Sequence, residues 1–431
     1  MPGANTASTA STASTASVVK SANTANAAGT TPSRVRLALI LGALIALGPL
    51  TIDTYLPALP DVGQDLAASG TTVQLTLTGT LAGLALGQIL IGPLSDAYGR
   101  RLPLLLVTGL HVLASALVAV APSIEVLGVL RVLQGVGASA GAVIGLAIVR
   151  DLFTGRAAAT MLSRLMLVMG AAPVLAPTLG AVLLNWVSWR GVFLFLAGYG
   201  LVMVAVVTAG LPETLPVSRR RAARVGPTVR TYGALLRDRT FVGLVLVAGL
   251  AMGALFSYVS GAAYVYQQQF GMDQQTFGLA FGAGAIWLVI GTQLNPVLLR
   301  YLEPRRVLTG AIGVGVLAGL ALAVLTATGI GGIGAVLAGV WALLLSCGFV
   351  MPNAPALALA RHGESAGTAA ALLGALQFGL GAATSPVVGL LGNDAAAMGA
   401  AMFGAIALSG LSLVLVVRPW TLPDLNGPEP A

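Results

Sequence analysis

Three ionisable residues, Asp53, His111 and Arg131, sit inside long apolar runs. Charge in such a run is costly, so each is a functional candidate by default. Asp53 has the chemistry of a proton carrier. Desolvation favours its neutral form and a nearby cation its charged form, so a cycle that changes either loads and releases one proton. Arg131 cannot shed its charge in ordinary conditions. Gln134 is its i+3 neighbour, and Gly135 and Ala138 continue the same face, which suits a close-packed or cavity-lining stripe. Asp53 lies 16 residues beyond Leu37, roughly 24 Å along a helix, and Arg131 falls roughly 7–10 Å below the outer end of its own run. The two depths are similar, which permits an ion pair. The alternatives are a water-facing Asp53 ahead of the Pro57–Pro60 turn and an Arg131 that snorkels to the interface. His111 stands alone between Leu110 and Val112, and satisfaction by a neighbouring carbonyl is expected ahead of a proton relay.

A second constellation runs from Gly92 to Arg101 and holds Asp96, Gly99 and Arg100. The glycines allow a sharp turn, and Asp96 can make charge-assisted hydrogen bonds to the arginines that lock adjacent helices. A bland stop-transfer loop needs the arginines but not the Gly-Asp-Gly spacing. Further along, the apolar runs carry no ionisable residue, and their polar candidates are Tyr258, Tyr264, Gln293, Asn295 and Gln377. With Tyr55 and Gln134, Tyr258 and Gln377 are the candidate cavity residues. Phe256, Trp287 and Trp341 would suit an apolar pocket. The lone Cys347 cannot form an internal disulfide, and with two histidines in the chain no metal or cofactor site is expected.

The elements that must position these residues follow from composition. Of 431 residues, 57% are hydrophobic and 8% charged, against about 25% charged in a soluble protein. That little charge cannot wet a globule, so the chain is an integral membrane protein and a soluble enzyme is excluded. Apolar runs long enough to cross a bilayer cover 35–59, 73–94, 102–121, 126–149, 160–184, 191–211, 240–266, 277–299, 307–327, 331–351, 367–391 and 398–417. Residues 1–34 form an Ala/Ser/Thr/Asn-rich tail too poor in apolar residues to fold. With both termini cytoplasmic, twenty of the 22 basic residues fall on the inner side, which is the sorting the positive-inside rule demands. The net charge of +8 is therefore topology, and nucleic acid is not an expected partner.

The charged linker 212–239 divides the bundle into 35–211 and 240–417, with 418–431 as a cytoplasmic tail. The stretch Pro93 to Arg101 has a counterpart at Pro296 to Arg306. Parallel six-helix halves with a midplane site are a transporter architecture. The expected fold is an all-α membrane protein of twelve transmembrane helices in two six-helix halves.

These motifs resemble the major facilitator superfamily, and within it the Bcr/CflA-type drug:proton antiporters of the bicyclomycin and chloramphenicol resistance group, over residues 35–417. Residues 92–105 are similar to the superfamily's signature between helices 2 and 3. Leu127, Arg131, Gln134, Gly135, Gly137 and Ala138 resemble the helix 4 signature associated with proton transfer. Asp53 to Pro60 resembles the group's helix 1 signature, and Ala366 to Gln377 its helix 11. The resemblance implies a cytoplasmic lock in which Asp96 and Arg100 pair with an acid at the end of helix 4, here Asp151. The helix 5 antiporter signature reads Ala176-Pro177-Thr178-Leu179-Gly180-Ala181, with alanine where the family often has glycine, and that change keeps close packing possible.

The function expected is a proton-coupled efflux transporter that exports small amphipathic compounds such as antibiotics by alternating access. The alternative is a facilitator or proton symporter for a small metabolite. A receptor or scaffold would be expected to carry a folded soluble domain, whereas the longest loop, 212–239, has 28 residues. No paired carboxylate or Ser/His set lies within the spans, so catalysis is not expected. Twenty-one arginines to one lysine suggest a GC-rich bacterium. The expected setting is thus the bacterial plasma membrane, with a drug or metabolite, protons and lipid as partners and a monomer as the working unit.

Overall fold

A computed structural model describes residues 33–220 and 225–421. Most of the expected N-terminal tail, residues 221–224 of the linker, and 422–431 lie outside the described residues. Twelve helices there are long and apolar enough to cross a membrane: α1 Arg34–Asp65, α2 Gly70–Tyr98, α3 Arg101–Val118, α4 Ile124–Leu152, α5 Gly155–Leu184, α6 Trp189–Gly210, α7 Arg239–Gln269, α8 Gln274–Leu298, α9 Pro304–Thr328, α10 Gly332–Ala360, α11 Ala366–Leu391 and α12 Ala395–Thr421. No strand occurs among the described residues.

Local chemistry sets many of the boundaries. Ser33, Ser69, Ser123, Asp238, Asp273 and Asp394 each accept a backbone N–H in the first turn of the helix they precede, which satisfies donors that have no partner inside the helix. Several helices outrun the apolar runs. The first does not stop at 59: it breaks at Thr54–Tyr55, passes through a 3-10 turn at Leu56–Ala58 and resumes as Leu59–Asp65. Pro57 and Pro60 each fall in the first turn of a new helical segment, where a missing N–H costs nothing. Helix α2 likewise continues through Pro93 to Tyr98, so Asp96 lies in the helix and the turn shrinks to Gly99 and Arg100.

The packing repeats with a six-helix offset. Contacts α1–α5, α2–α4, α3–α4 and α3–α6 recur as α7–α11, α8–α10, α9–α10 and α9–α12. In each half one contact is backbone-close. A Cβ on Gly83 would sit 2.1 Å from the Val132 carbonyl oxygen of α4, and one on Gly291 would sit 2.4 Å from the Leu345 carbonyl oxygen of α10. Small residues permit such approach where lipid offers no hydrophobic drive for association.

The halves meet through α2–α11 and α5–α8. The described hydrogen bonds between them gather at the face opposite the linker. There Gln74 donates to Asn393 Oδ1 (2.6 Å) and to the Ser260 carbonyl (3.1 Å). Tyr264 donates to the Gly70 carbonyl (3.3 Å), Gln267 to the Pro57 carbonyl (3.2 Å), and Gln274 to Asp61 (2.9 Å). Tyr264 and Gln267 belong to a π-helical end of α7, Tyr264–Gln269. Amides dominate this clasp, which closes the bundle at the far face.

Candidate functional site: a buried charge centre and a linker-face lock

Asp53 is the last residue of the first segment of α1, next to the break. It is 6% exposed and lies 12 residues before the end of the full α1 span, roughly 18 Å, so it is deep in the bundle and does not face water near the rim. No described hydrogen bond or ion pair reaches its carboxylate. The Tyr258 hydroxyl of α7, in the second half, lies within its electrostatic reach.

Arg131 of α4 is fully buried. Its Nη1 donates to the Thr51 carbonyl (3.1 Å) and to Gln134 Oε1 (2.5 Å), while Nε and Nη2 have no hydrogen-bond partner. The guanidinium carbon instead lies 4.8 Å from the centroid of the Tyr55 ring and 5.4 Å from that of Phe193 on α6. The ion pair with Asp53 that the matching depths permit is therefore not formed. Helix geometry gives the reason: residues two apart are ~200° apart around the axis. Thr51 turns toward α3 and α4, so Asp53 turns away from Arg131.

Buried hydrogen bonds fix this centre. Thr51 Oγ1 donates to the Leu47 carbonyl (2.6 Å), so its contact with His111 Nε2 at 2.9 Å uses the ring N–H as donor. A hydroxyl, and not the expected carbonyl, thus satisfies His111, and Nδ1 has no partner. Gln134 Nε2 donates to Ser115 Oγ (2.8 Å), which donates to the His111 carbonyl (2.7 Å). Tyr55 and Gln134 belong to this packed network and are fully buried. Tyr258 is 1% exposed, stacked on Phe281 at 4.8 Å, and its hydroxyl is unpartnered. Gln377 is half-buried on α11. Ala176 and Pro177 are buried, and α5 presses so closely on the α1 break that a Cβ on Gly180 would sit 2.0 Å from the Thr54 carbonyl oxygen.

At the linker face, Gly92 lies within α2 and Gly99 makes the turn with a φ of +93°. The Arg100 guanidinium binds Asp96 (2.5 Å) and Asp151 at the end of α4 (2.7 Å), and donates to Ser95 Oγ (2.8 Å). Burial works against the Arg100 charge, but the hydrogen bonds and charges of Asp151 and Asp96 outweigh it and raise its pKa above the usual arginine value. Arg101 donates to the Thr208 carbonyl (2.5 Å). Glu213, absent from the sequence candidates, accepts the backbone N–H groups of Arg100 (2.8 Å) and Arg101 (3.2 Å). Burial opposes its ionisation, yet the N–H groups of Leu215, Arg100 and Arg101 and the Arg220 charge hold its pKa below the usual range. In the second half, Glu303 binds only its near neighbours Arg305 and Arg306 among the described ion pairs.

A bundle of twelve membrane-spanning helices in two repeated halves, with a buried acid at the α1 break, defines a multi-pass transporter. The chain belongs to the Major Facilitator Superfamily, whose family profile matches residues 39–386, and within it to the Bcr/CflA-type group. It is 39% identical over 391 residues, 89% of this chain and 97% of the relative, to the uncharacterized MFS-type transporter YdgK of Bacillus subtilis. It is 30% identical over 366 residues, 83% of this chain and 90% of the relative, to the bicyclomycin resistance protein homolog of Haemophilus influenzae. Among solved structures, the partially occluded inward-open xylose transporter XylE from E. coli superposes with a TM-score of 0.69 at 12% identity, covering 92% of this chain and 99% of that one; that likeness concerns the fold.

Proposed function

We propose that this protein exports small amphipathic compounds of the antibiotic class from a bacterial cell in exchange for protons. The linker, lock and both termini are cytoplasmic, and the monomer is the working unit. The observation that carries the reading is Asp53: a buried carboxyl that no described ion pair or hydrogen bond reaches, with Tyr258 of the other half within its electrostatic reach. Burying an unpaired carboxylate is costly, and a proton removes the cost. Such a group changes its proton affinity whenever the halves rock and alter its surroundings. Arg131 is anchored to the Thr51 carbonyl, two residues along α1 from the acid. Similarity to a bicyclomycin resistance protein homolog supports an antibiotic substrate. The Arg100 cluster holds α2, α4 and the start of α3 together as one rigid unit, and the amide clasp closes the far face, so the cycle alternates between opening at the linker face and opening at the clasp.

The test is a susceptibility panel. Cells expressing the protein should tolerate higher concentrations of some amphipathic antibiotics than cells expressing Asp53→Asn at equal membrane levels. Equal susceptibility across the panel would reject the proposal, and greater sensitivity on expression would indicate uptake instead.

A further inference from the structure

The guanidinium of Arg131 is buried with two nitrogens unpartnered and no carboxylate bound, and it rests against two aromatic faces from different helices. Tyr55 belongs to the α1 break. Phe193 comes from the first turns of α6, and no motif marks it. The ring centroids are 5.1 Å apart at 54°, so the two rings form one tilted aromatic wall on the same side of the cation. Phe193 is itself fully buried, backed by Trp189 at 6.1 Å in an edge contact, so it cannot swing away without disturbing α6. A ring face attracts a cation most strongly when both are out of water. That condition holds here.

We infer that Phe193 is a positioning residue for proton coupling: with Tyr55 it forms a parking site that holds Arg131 off Asp53 while the acid carries its proton. This rests on the proposed role of Asp53. On proton release to water, Arg131 leaves the rings for the carboxylate, so ring strength sets the balance between the two positions. A weaker parking site frees Arg131 for the carboxylate and lets the proton go at lower pH. Few other groups can share the effect. Tyr55 of α1 and His111 of α3 interact electrostatically with Arg131. Tyr264 of α7 lies within electrostatic reach of Tyr55, and Tyr258 of α7 within electrostatic reach of Asp53 and of Tyr266. Helix α6 contributes rings here; its Arg190 is held by Asp65 near the far face.

The experiment incorporates phenylalanines of increasing ring fluorination at position 193 of the full-length protein, which drains the ring of negative charge with little change in shape. Proton release on adding a transported antibiotic is followed against pH in weakly buffered detergent, with antibiotic binding measured separately. The expected result is a midpoint that falls stepwise, by about one pH unit at full fluorination, with binding retained. Phe193→Leu should fall as far, and Phe193→Tyr should restore most of the midpoint. An unmoved midpoint across the series, with release still abolished by Asp53→Asn, overturns the parking site and leaves Asp53 as the carrier. Release that survives Asp53→Asn overturns both readings.

Discussion

At the scale of single residues, the centre around Arg131 depends on side chains that carry no charge. Thr51 shows this best: its carbonyl takes Arg131 and its hydroxyl takes His111. Thr51→Val keeps the shape and the carbonyl but removes the acceptor from a fully buried ring N–H. Leaving a buried donor unmet costs ~1–3 kcal/mol, so the melting temperature in detergent should drop clearly, while Thr51→Ser should stay near the wild type. Equal melting of the valine and serine variants would show that the His111 contact contributes nothing. The sequence marks Asp53, His111 and Arg131 because charge or latent charge in an apolar run is conspicuous. It does not mark Phe193, one of 11 phenylalanines, or Thr51, since neither departs from what a membrane helix ordinarily contains. Nor does matching depth determine a pairing, because depth leaves open which way each residue faces around its helix. Asp53 and Arg131 agree in the first and differ in the second.

At the scale of elements, the two ends of the bundle are fastened by different chemistry. The linker-face lock is ionic. Glu213 lies at the turn between α2 and α3, where a Cβ on Gly99 would sit 2.3 Å from its Oε2 and the φ of +93° is strained for any residue but glycine. Because the folded pKa of Glu213 is depressed, its contribution is fully present above the ordinary carboxylate value near ~4.3 and is lost as pH falls through the folded value. The difference in melting temperature between wild type and Glu213→Gln should thus stay constant from pH 8 to pH 5.5 and close only below about pH 4. A gap that changes near neutrality would contradict this assignment. The far-face clasp is built largely from amides, and Gln74 is its central link, fully buried and bonded to α7 and to the turn after α11. Gln74→Ala should shift the population toward opening at that face, read as longer distances between spin labels on the α1–α2 and α7–α8 turns. Unchanged distances would show that helix packing alone closes it. The helix count could be read from apolar runs and basic loops. The continuation of α2 through Pro93 and of α1 past its break could not, since proline marks a helix start as readily as a stop. The clasp was equally hidden: its partners come from α1, α2, α7, α8 and the turn before α12, far apart in the chain, and glutamine has no periodic signature.

At the scale of the whole molecule, the packing repeats with a six-helix offset, and in the proposed cycle the two halves rock about the buried centre with the basic loops on the cytoplasmic face. With Cys347 buried, single cysteines can report this. Val217→Cys in the linker, at a position 76% exposed, should react with an impermeant thiol reagent only in broken cells. Met272→Cys between α7 and α8 should react in intact ones. Labelling of position 217 from outside would invert the orientation. The account's central claim is that Asp53 carries the proton that drives export. Its most direct test is antibiotic movement in proteoliposomes, comparing wild type with Asp53→Asn both under an imposed pH gradient and in gradient-free exchange of labelled for unlabelled drug. The account predicts that Asp53→Asn retains exchange and loses gradient-driven movement. Full gradient-driven movement by Asp53→Asn would contradict it.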